Sequence, residues 1–395
     1  MKKILSLFIC VVIGLNCMFL SAEASVSEDY TDQDNEMESA NSLEINAKSA
    51  VLMDAETGTV LFMKNAAEPL APASVTKIMT LLLIAEAIDC EVLSLDDTVY
   101  VSANAASKGG SQIFIKEGEA FTVEELLKST VIASANDAAV ALAESLCGTE
   151  EKFVERMNER AEQLGMMNTH FENCTGLDDT VTNHMTSAYD IALMSRELLK
   201  YSSVTDYSNV WQDSIRNGEF VLTNTNRLVR YYEGCTGLKT GSTDKAGFCI
   251  SATAKRDGMH LIAVVMGADT RDERNNAARA MLDFGFSNYA LYTDPTTILE
   301  EIPVKHGVKD SAVSYSASFT KLINKADKKR VEKEYEIADY VTAPIQSGQV
   351  VGSVTYKLDG EVIGKSEIFI NEDIAKIGLK DVLLRMLRTI FLGKY

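Results

Sequence analysis

Histidine is scarce in this chain, with four in 395 residues, and neither an H-E-x-x-H nor a C-x-x-C spacing occurs. That leaves a zinc site without its usual ligand set, and no metal or other cofactor is expected. Cysteine is present seven times but widely scattered, and two of the seven (Cys10 and Cys17) lie in an N-terminal apolar run. The remaining odd number does not make a disulfide framework. Cys174 and Cys235 share similar settings, NCTGL and GCTGL, so a bridge between them is conceivable; buried thiols are the default expectation. Basic character is lacking too, with 38 Lys and Arg against 57 Asp and Glu and a net charge of −19. A phosphate-backbone partner is thereby excluded, because nucleic-acid binders present a basic face.

What is present starts with an export signature. Lys2 and Lys3 precede the apolar run Ile4–Leu20, and Ala22-Glu23-Ala24 offers a small-x-small cleavage site. Cleavage after Ala24 is expected; an uncleaved anchor is the competing reading, since the run is nearly bilayer length. Cys17 invites a lipoprotein reading, but Gly14 and Asn16 fit that pattern poorly. Residues 25–43 are acidic and poor in large apolar side chains, the composition of a disordered spacer.

The body of the chain reads as α+β. Two β-rich runs around Ala55-Glu56-Thr57-Gly58 predict a hairpin, and an apolar helix follows from about residue 74. Helical periodicity dominates 120–200, strand character returns in GFCISATA and MHLIAVVMGA, and ERNNAARAMLDFGF closes the unit as a helix. This order predicts an antiparallel sheet flanked by helices, with a helical subdomain, over 44–293. Short alternating strands over 294–375 predict a small β-rich domain. In 376–395, Leu379, Val382, Leu383, Met386, Leu387, Ile390 and Phe391 form one helical stripe opposite Lys380, Arg385 and Arg388. A basic amphipathic end on so acidic a chain predicts a helix lying on a membrane surface, with docking on the β domain as the alternative.

Three short motifs carry chemistry. Ser74-x-x-Lys77 opens the apolar helix, which puts a hydroxyl and an amine on one face a single turn apart. Serine needs an adjacent base, and a lysine serves only if burial leaves it neutral; Ile78, Met79, Leu81, Leu82 and Leu83 supply that setting. The plain alternative is a capping serine beside a lysine that snorkels to water. Ser134-Ala135-Asn136 falls between two helical stretches, where a hydroxyl could relay protons and an amide could bind a peptide group. Its alternative is a capping serine. Lys239-Thr240-Gly241 occurs once, before a strand run, and offers a cation, a hydroxyl and room for close approach to an anionic substrate. The first two motifs each occur three times, so only the combination and its order are specific.

In this order the motifs resemble those of the penicillin-recognising serine enzymes. The flanking runs GLDDTVTNHMTSAYDIALMSREL, GCTGLKTGSTDKAGFCISATA and LIAVVMGADTRDERNNAARAMLDFGF look like the low-molecular-mass D-alanyl-D-alanine carboxypeptidases. The resemblance implies a β-lactamase/transpeptidase-like fold and a serine carboxypeptidase removing the terminal D-alanine from peptidoglycan stem peptides. Ser74 would be the nucleophile, Lys77 its base and Ser134 a proton relay. The backbone amides of Ser74 and Ser242 would form the oxyanion hole, and Asn136 would hold the substrate amide. Lys239, Thr240 and Gly241 would receive the terminal carboxylate region with Arg274, and Arg227 matches a further family arginine. β-Lactams would acylate Ser74, and the enzyme would act on the outer face of the cytoplasmic membrane. Ala135 departs from the Asp common in β-lactamases, and no E-x-x-L-N segment supplies a deacylating glutamate, so slow deacylation is expected. A β-lactamase, an endopeptidase and a non-catalytic peptidoglycan-binding protein remain as alternatives.

Overall fold

Strand Ser49–Asp54 (β1) has every side chain buried, and its alternation divides them between two cores. Val51 and Met53 face one way, Ala50 and Leu52 the other. A computed structural model describes residues 43–392 apart from residue 180. The expected export signal (1–24) and all but the last residue of the expected spacer (25–43) lie outside the described residues. β1 turns through residues 55–58 into Val60–Lys64 (β2), the hairpin read from the sequence.

Strands Cys235–Thr243 (β3), Gly247–Arg256 (β4) and Met259–Ala268 (β5) complete an antiparallel sheet in the order β2-β1-β5-β4-β3. In β5, Leu261, Ala263 and Val265 join Leu52 beneath Ala277, Ala278, Met281 and Leu282 of the helix Arg271–Asn288. Ile262, Val264 and Met266 face the larger core on the other side. That core is built around Lys77–Asp89 (α1), of whose 13 residues ten are buried. A helix apolar all round belongs at the centre of a subdomain. Around it stand Val123–Ile132 (α2), Asn136–Cys147 (α3) and Ala188–Leu198 (α4), with Arg271–Asn288 (α5) on the opposite face of the sheet. Thr122 and Glu125 form a reciprocal capping box that starts α2.

The second unit is a six-stranded sheet with its own core, including Ile302, Val354, Tyr356, Ile368 and Ile370. Strand Tyr289–Asp294 pairs with Phe319–Asn324, and Leu322 of the latter reaches the core under α5, joining the two units. Leu379–Leu392 forms the final helix, α6, which starts three residues later than the expected 376–395; residues 393–395 lie outside the described residues. Arg385 pins it to the β-rich unit through Asp310 and the carbonyl of Val308, while Leu379, Leu383, Met386 and Ile390 stay exposed. No helix among the described residues is long and apolar enough to cross a membrane.

The cysteine expectation needs correction in part. Cys174 and Cys249 are buried, but Cys90 is exposed, and all five described cysteines are free, so Cys174 and Cys235 are not bridged.

Candidate active site

Pro72-Ala73 delivers the chain into a 3-10 turn, Ala73–Thr76, from which α1 continues at Lys77. Ala73 sits at φ +48, in the left-handed region that side chains disfavour. Such strain persists where the surroundings over-determine it. Gly176 is part of those surroundings, because a Cβ there would lie 1.8 Å from the Ala73 carbonyl oxygen. Ser74 caps nothing: Thr76 is the N-cap of α1, with no side-chain cap bond, and the Ser74 hydroxyl is free to face a cleft.

Lys77 does not snorkel. It is 0% exposed, and its Nζ lies 2.9 Å from Ser74 Oγ, 2.5 Å from Asn136 Oδ1 and 2.8 Å from the Thr175 carbonyl oxygen. Burial pushes this amine down from the ordinary lysine value to about 7, against smaller opposing fields from Cys174 and Asp137. The partners then sort themselves. A neutral amine has two N–H groups and one lone pair; the two carbonyl oxygens take the N–H groups, and the lone pair is left for the Ser74 O–H. No other arrangement satisfies all three contacts in the neutral state.

Ser134 lies between α2 and α3 with φ +62, a second left-handed residue at the site. The alternative of a capping serine does not hold, since Ala135 is the N-cap of α3 and makes no side-chain cap bond. Instead its Oγ accepts from Lys239 Nζ at 2.7 Å, which leaves its own proton to donate into the cleft it lines. Asn136 was expected to hold a substrate amide. It is 2% exposed, accepts at Oδ1 from Lys77 and donates from Nδ2 to the Gly109 carbonyl, so it orients the Lys77 amine. Next to it, Asp137 accepts from the amides of Ile113, Ile115 and Ala138 and fixes the loop behind Asn136. Asp137→Ala is expected to lower stability by about 3 kcal/mol in denaturant titration, because buried amides lose their acceptor.

The K-T-G residues lie within β3, at the sheet edge and one strand before the GFCISATA run of β4, as expected. Lys239 is buried without a carboxylate partner; burial, with Lys77 and Arg274 nearby, holds its amine well below the ordinary value. Thr240 Oγ1 donates to Thr225 Oγ1 at 2.7 Å. Gly241 is where β3 meets the serine turn: an added Cβ would stand 2.8 Å from Ser74 N and 2.9 Å from the Pro72 carbonyl oxygen. That contact keeps the Ser74 amide and the strand side by side. If the Ser74 amide is an oxyanion donor as the resemblance implies, Gly241→Ala is expected to slow acylation about a hundredfold, as measured by stopped-flow with a chromogenic β-lactam.

A cleft of about 650 Å³ opens over these groups, lined by Ser74, Ser134, Thr240, Gly241, Ser242, Arg227 and Arg274 among others. Arg274 is buried, its guanidinium bonded to Asn275 Oδ1, and desolvation with Arg271 and Arg227 nearby lowers it to about 10. It stays cationic at neutral pH. Arg227 and Ser242 are exposed at the rim. His184 cannot serve as the base: its Nδ1 accepts from the Glu172 amide, its Nε2 faces Thr76 Oγ1 at 2.8 Å, and burial lowers it to about 4.

Sequence reading missed Thr175, Gly109 and Thr225, which act through a carbonyl, a carbonyl and a small hydroxyl. The one available signal was the pair of Asn-Cys-Thr-Gly-Leu and Gly-Cys-Thr-Gly-Leu segments, read only for their cysteines. Trp211, Tyr231 and Arg271 also line the cleft and were not singled out.

A family model described as D-alanyl-D-alanine carboxypeptidase matches residues 35–270. The chain belongs to the D-alanyl-D-alanine carboxypeptidase family. A second model, the penicillin-binding protein 5 C-terminal domain, matches residues 286–376. The D-alanyl-D-alanine carboxypeptidase DacF of Bacillus subtilis is 44% identical over 393 residues, spanning 98% of each chain. The crystal structure of penicillin-binding protein 5 from Haemophilus influenzae superposes with a TM-score of 0.71 at 29% identity, covering 85% of this chain and 99% of that one. Penicillin-binding protein D2 from Listeria monocytogenes, solved in an ampicillin-bound form, superposes at 0.57 with 30% identity, over 62% of this chain and 100% of the other.

Proposed function

We propose that this D-Ala-D-Ala carboxypeptidase works through an acyl-enzyme on Ser74. The supporting observation is the Lys77 amine, fully buried, with two carbonyl acceptors for its N–H groups and the Ser74 hydroxyl at its lone pair. Ser74 Oγ attacks the carbonyl of the penultimate D-Ala of a peptidoglycan stem peptide, and Lys77 takes the hydroxyl proton. The Ser74 and Ser242 amides hold the oxyanion. Ser134, bonded to Lys239, passes a proton to the departing D-Ala nitrogen, while Lys239, Thr240 and Arg274 receive its carboxylate. That carboxylate supplies a counter-charge that Lys239's neutral partners, Ser134 Oγ and the Thr240 carbonyl, do not. Water then attacks the Ser74 ester and frees the shortened peptide. Asn136 has one lone pair and one amide hydrogen beyond those already bonded, enough to touch the substrate while still orienting Lys77.

β-Lactams enter the same chemistry as mimics of the acyl-D-Ala-D-Ala end, and a relative is known in an ampicillin-bound form. With no deacylating glutamate segment in the sequence, the adduct is expected to last for many turnovers of the peptide reaction. Two measurements test the reading. D-Ala release from a diacetyl-Lys-D-Ala-D-Ala peptide should be found, and penicillin should add a single mass that maps to the peptide containing Ser74. An adduct on another residue, or rapid lactam turnover, contradicts it.

The exposed apolar stripe of α6 and the basic residues beside it support attachment to the membrane surface, as does the acidic remainder of the chain, which needs a local basic end to approach anionic lipid. Export through the N-terminal segment completes this reading. Deleting 379–395 should release the protein from vesicles containing phosphatidylglycerol without loss of penicillin labelling; retained binding contradicts the attachment.

A further inference from the structure

Arg227, Arg271 and Arg274 all line the cleft of a chain whose net charge is −19. Among the described residues none of the three makes an ion pair, although acidic side chains outnumber basic ones; Arg274 donates only to the neutral Asn275. The three are near enough that Arg271 and Arg227 depress the basicity of Arg274. Their acidic neighbours form no ion pair with them: Asp269 and Asp272 are exposed, Asp272 offsets the two arginines at Arg274 only in part, and Glu273 is bonded to Asn46 and Thr270. Arg271 is also the first residue of α5, where the helix's own partial positive charge disfavours a cation.

The cluster has a direction. Arg274 is buried, whereas Arg271, one helical turn earlier on the same face, and Arg227 are exposed at the mouth. The terminal carboxylate of a D-Ala-D-Ala substrate uses one anionic charge, at Arg274, leaving Arg271 and Arg227 unmatched just outside it. We infer that Arg271 and Arg227 form a second anion subsite on the leaving-group side, selecting substrates whose departing D-residue carries a further carboxylate. This inference rests on the proposed placement of the terminal carboxylate at Arg274. The chemistry is unchanged: the amide C–N bond breaks on acylation of Ser74, the departing amine gains one proton, and water then cleaves the ester. Two sources offer such a leaving group, an acidic D-amino acid in the terminal position or a neighbouring, cross-linked stem peptide that carries a carboxylate beyond that of its own D-centre.

The test compares kcat/KM on three peptides, acyl-D-Ala-D-Ala, acyl-D-Ala-D-Glu and its neutral isostere acyl-D-Ala-D-Gln. A D-Glu over D-Gln preference of about fivefold is expected at low salt, the upper range for an exposed charge contact. It should fall toward unity in 0.5 M salt and in the Arg227→Gln/Arg271→Gln double variant. A thermal unfolding midpoint within a degree or two of the wild type verifies that the variant is folded. A cross-linked peptide dimer, compared with its carboxamide form, distinguishes the two sources: charge preference in the dimer favours the cross-link, preference confined to D-Glu favours the terminal residue. Equal rates for D-Glu and D-Gln in the wild type, or a preference that survives both arginine replacements, overturns the subsite while D-Ala release still stands. Failure to release D-Ala from the parent peptide overturns the proposed function and the subsite with it.

Discussion

Replacing Ser74 by alanine is expected to abolish penicillin labelling and to lower kcat/KM for D-Ala release by at least about 10⁴, the scale on which removal of a catalytic serine acts. In the proposed mechanism the Oγ is the atom that becomes acylated, and no other hydroxyl at the site shares its environment. Ser134 Oγ accepts from Lys239 Nζ at 2.7 Å, an amine that also donates to the Thr240 carbonyl. Ser74 is half-buried and makes no cap bond, so its loss should leave folding intact. Thermal unfolding of Ser74→Ala should therefore match the wild type within a degree or two while both activities vanish. Labelling retained in the variant would assign the acyl-enzyme elsewhere.

Loss of the base comes second in size. Lys77→Ala is expected to slow acylation by about 10³ to 10⁴, the upper range of general-base contributions. Lys77→Arg separates a base from a structural cation, since a guanidinium keeps its proton at any neutral pH. It should be as inactive as Lys77→Ala despite restoring charge. The sign of the pH dependence follows from which form works. Neutral Lys77 accepts the serine proton, so acylation should rise as pH increases through about 7 and level off above it. The same group also links folding to pH. Between about 7 and the ordinary lysine value the unfolded chain binds a proton that the folded chain does not, so this residue's cost to stability shrinks as pH rises across that window.

How much of this was legible beforehand depended on the kind of signal each residue gives. The β1–β2 hairpin, β4, β5 and α5 were readable because period-2 and period-3.6 patterns persist in strands and helices that bury one face. Lys77 was readable as a cost: a cation among Ile78, Met79 and Leu81–Leu83 has to be used. Thr175 and Gly109 were not, because they contribute carbonyl oxygens, which any residue type carries. The left-handed Ala73 and Ser134 gave no cue either, since neither is glycine or asparagine, and their conformations are imposed by packing such as that of Gly176 on the serine turn. Asn136 was singled out for its amide, but no pattern of residue types foretells that Lys77 and Gly109 occupy both ends of it. Arg271 was missed because a first-turn arginine looks like an ordinary surface residue until the cleft is visible beside it.

Titrating Lys77 itself bears most directly on the account. With lysine side chains labelled with carbon-13 at Cε, the Lys77 resonance can be assigned by its absence in Lys77→Arg and followed from pH 5 to 11. A midpoint near 7 in the free enzyme, matching the midpoint of penicillin acylation, is the expected result. A resonance that stays in its ammonium position until the ordinary lysine value would mean the amine is protonated when acylation proceeds, and would contradict Lys77 as the base.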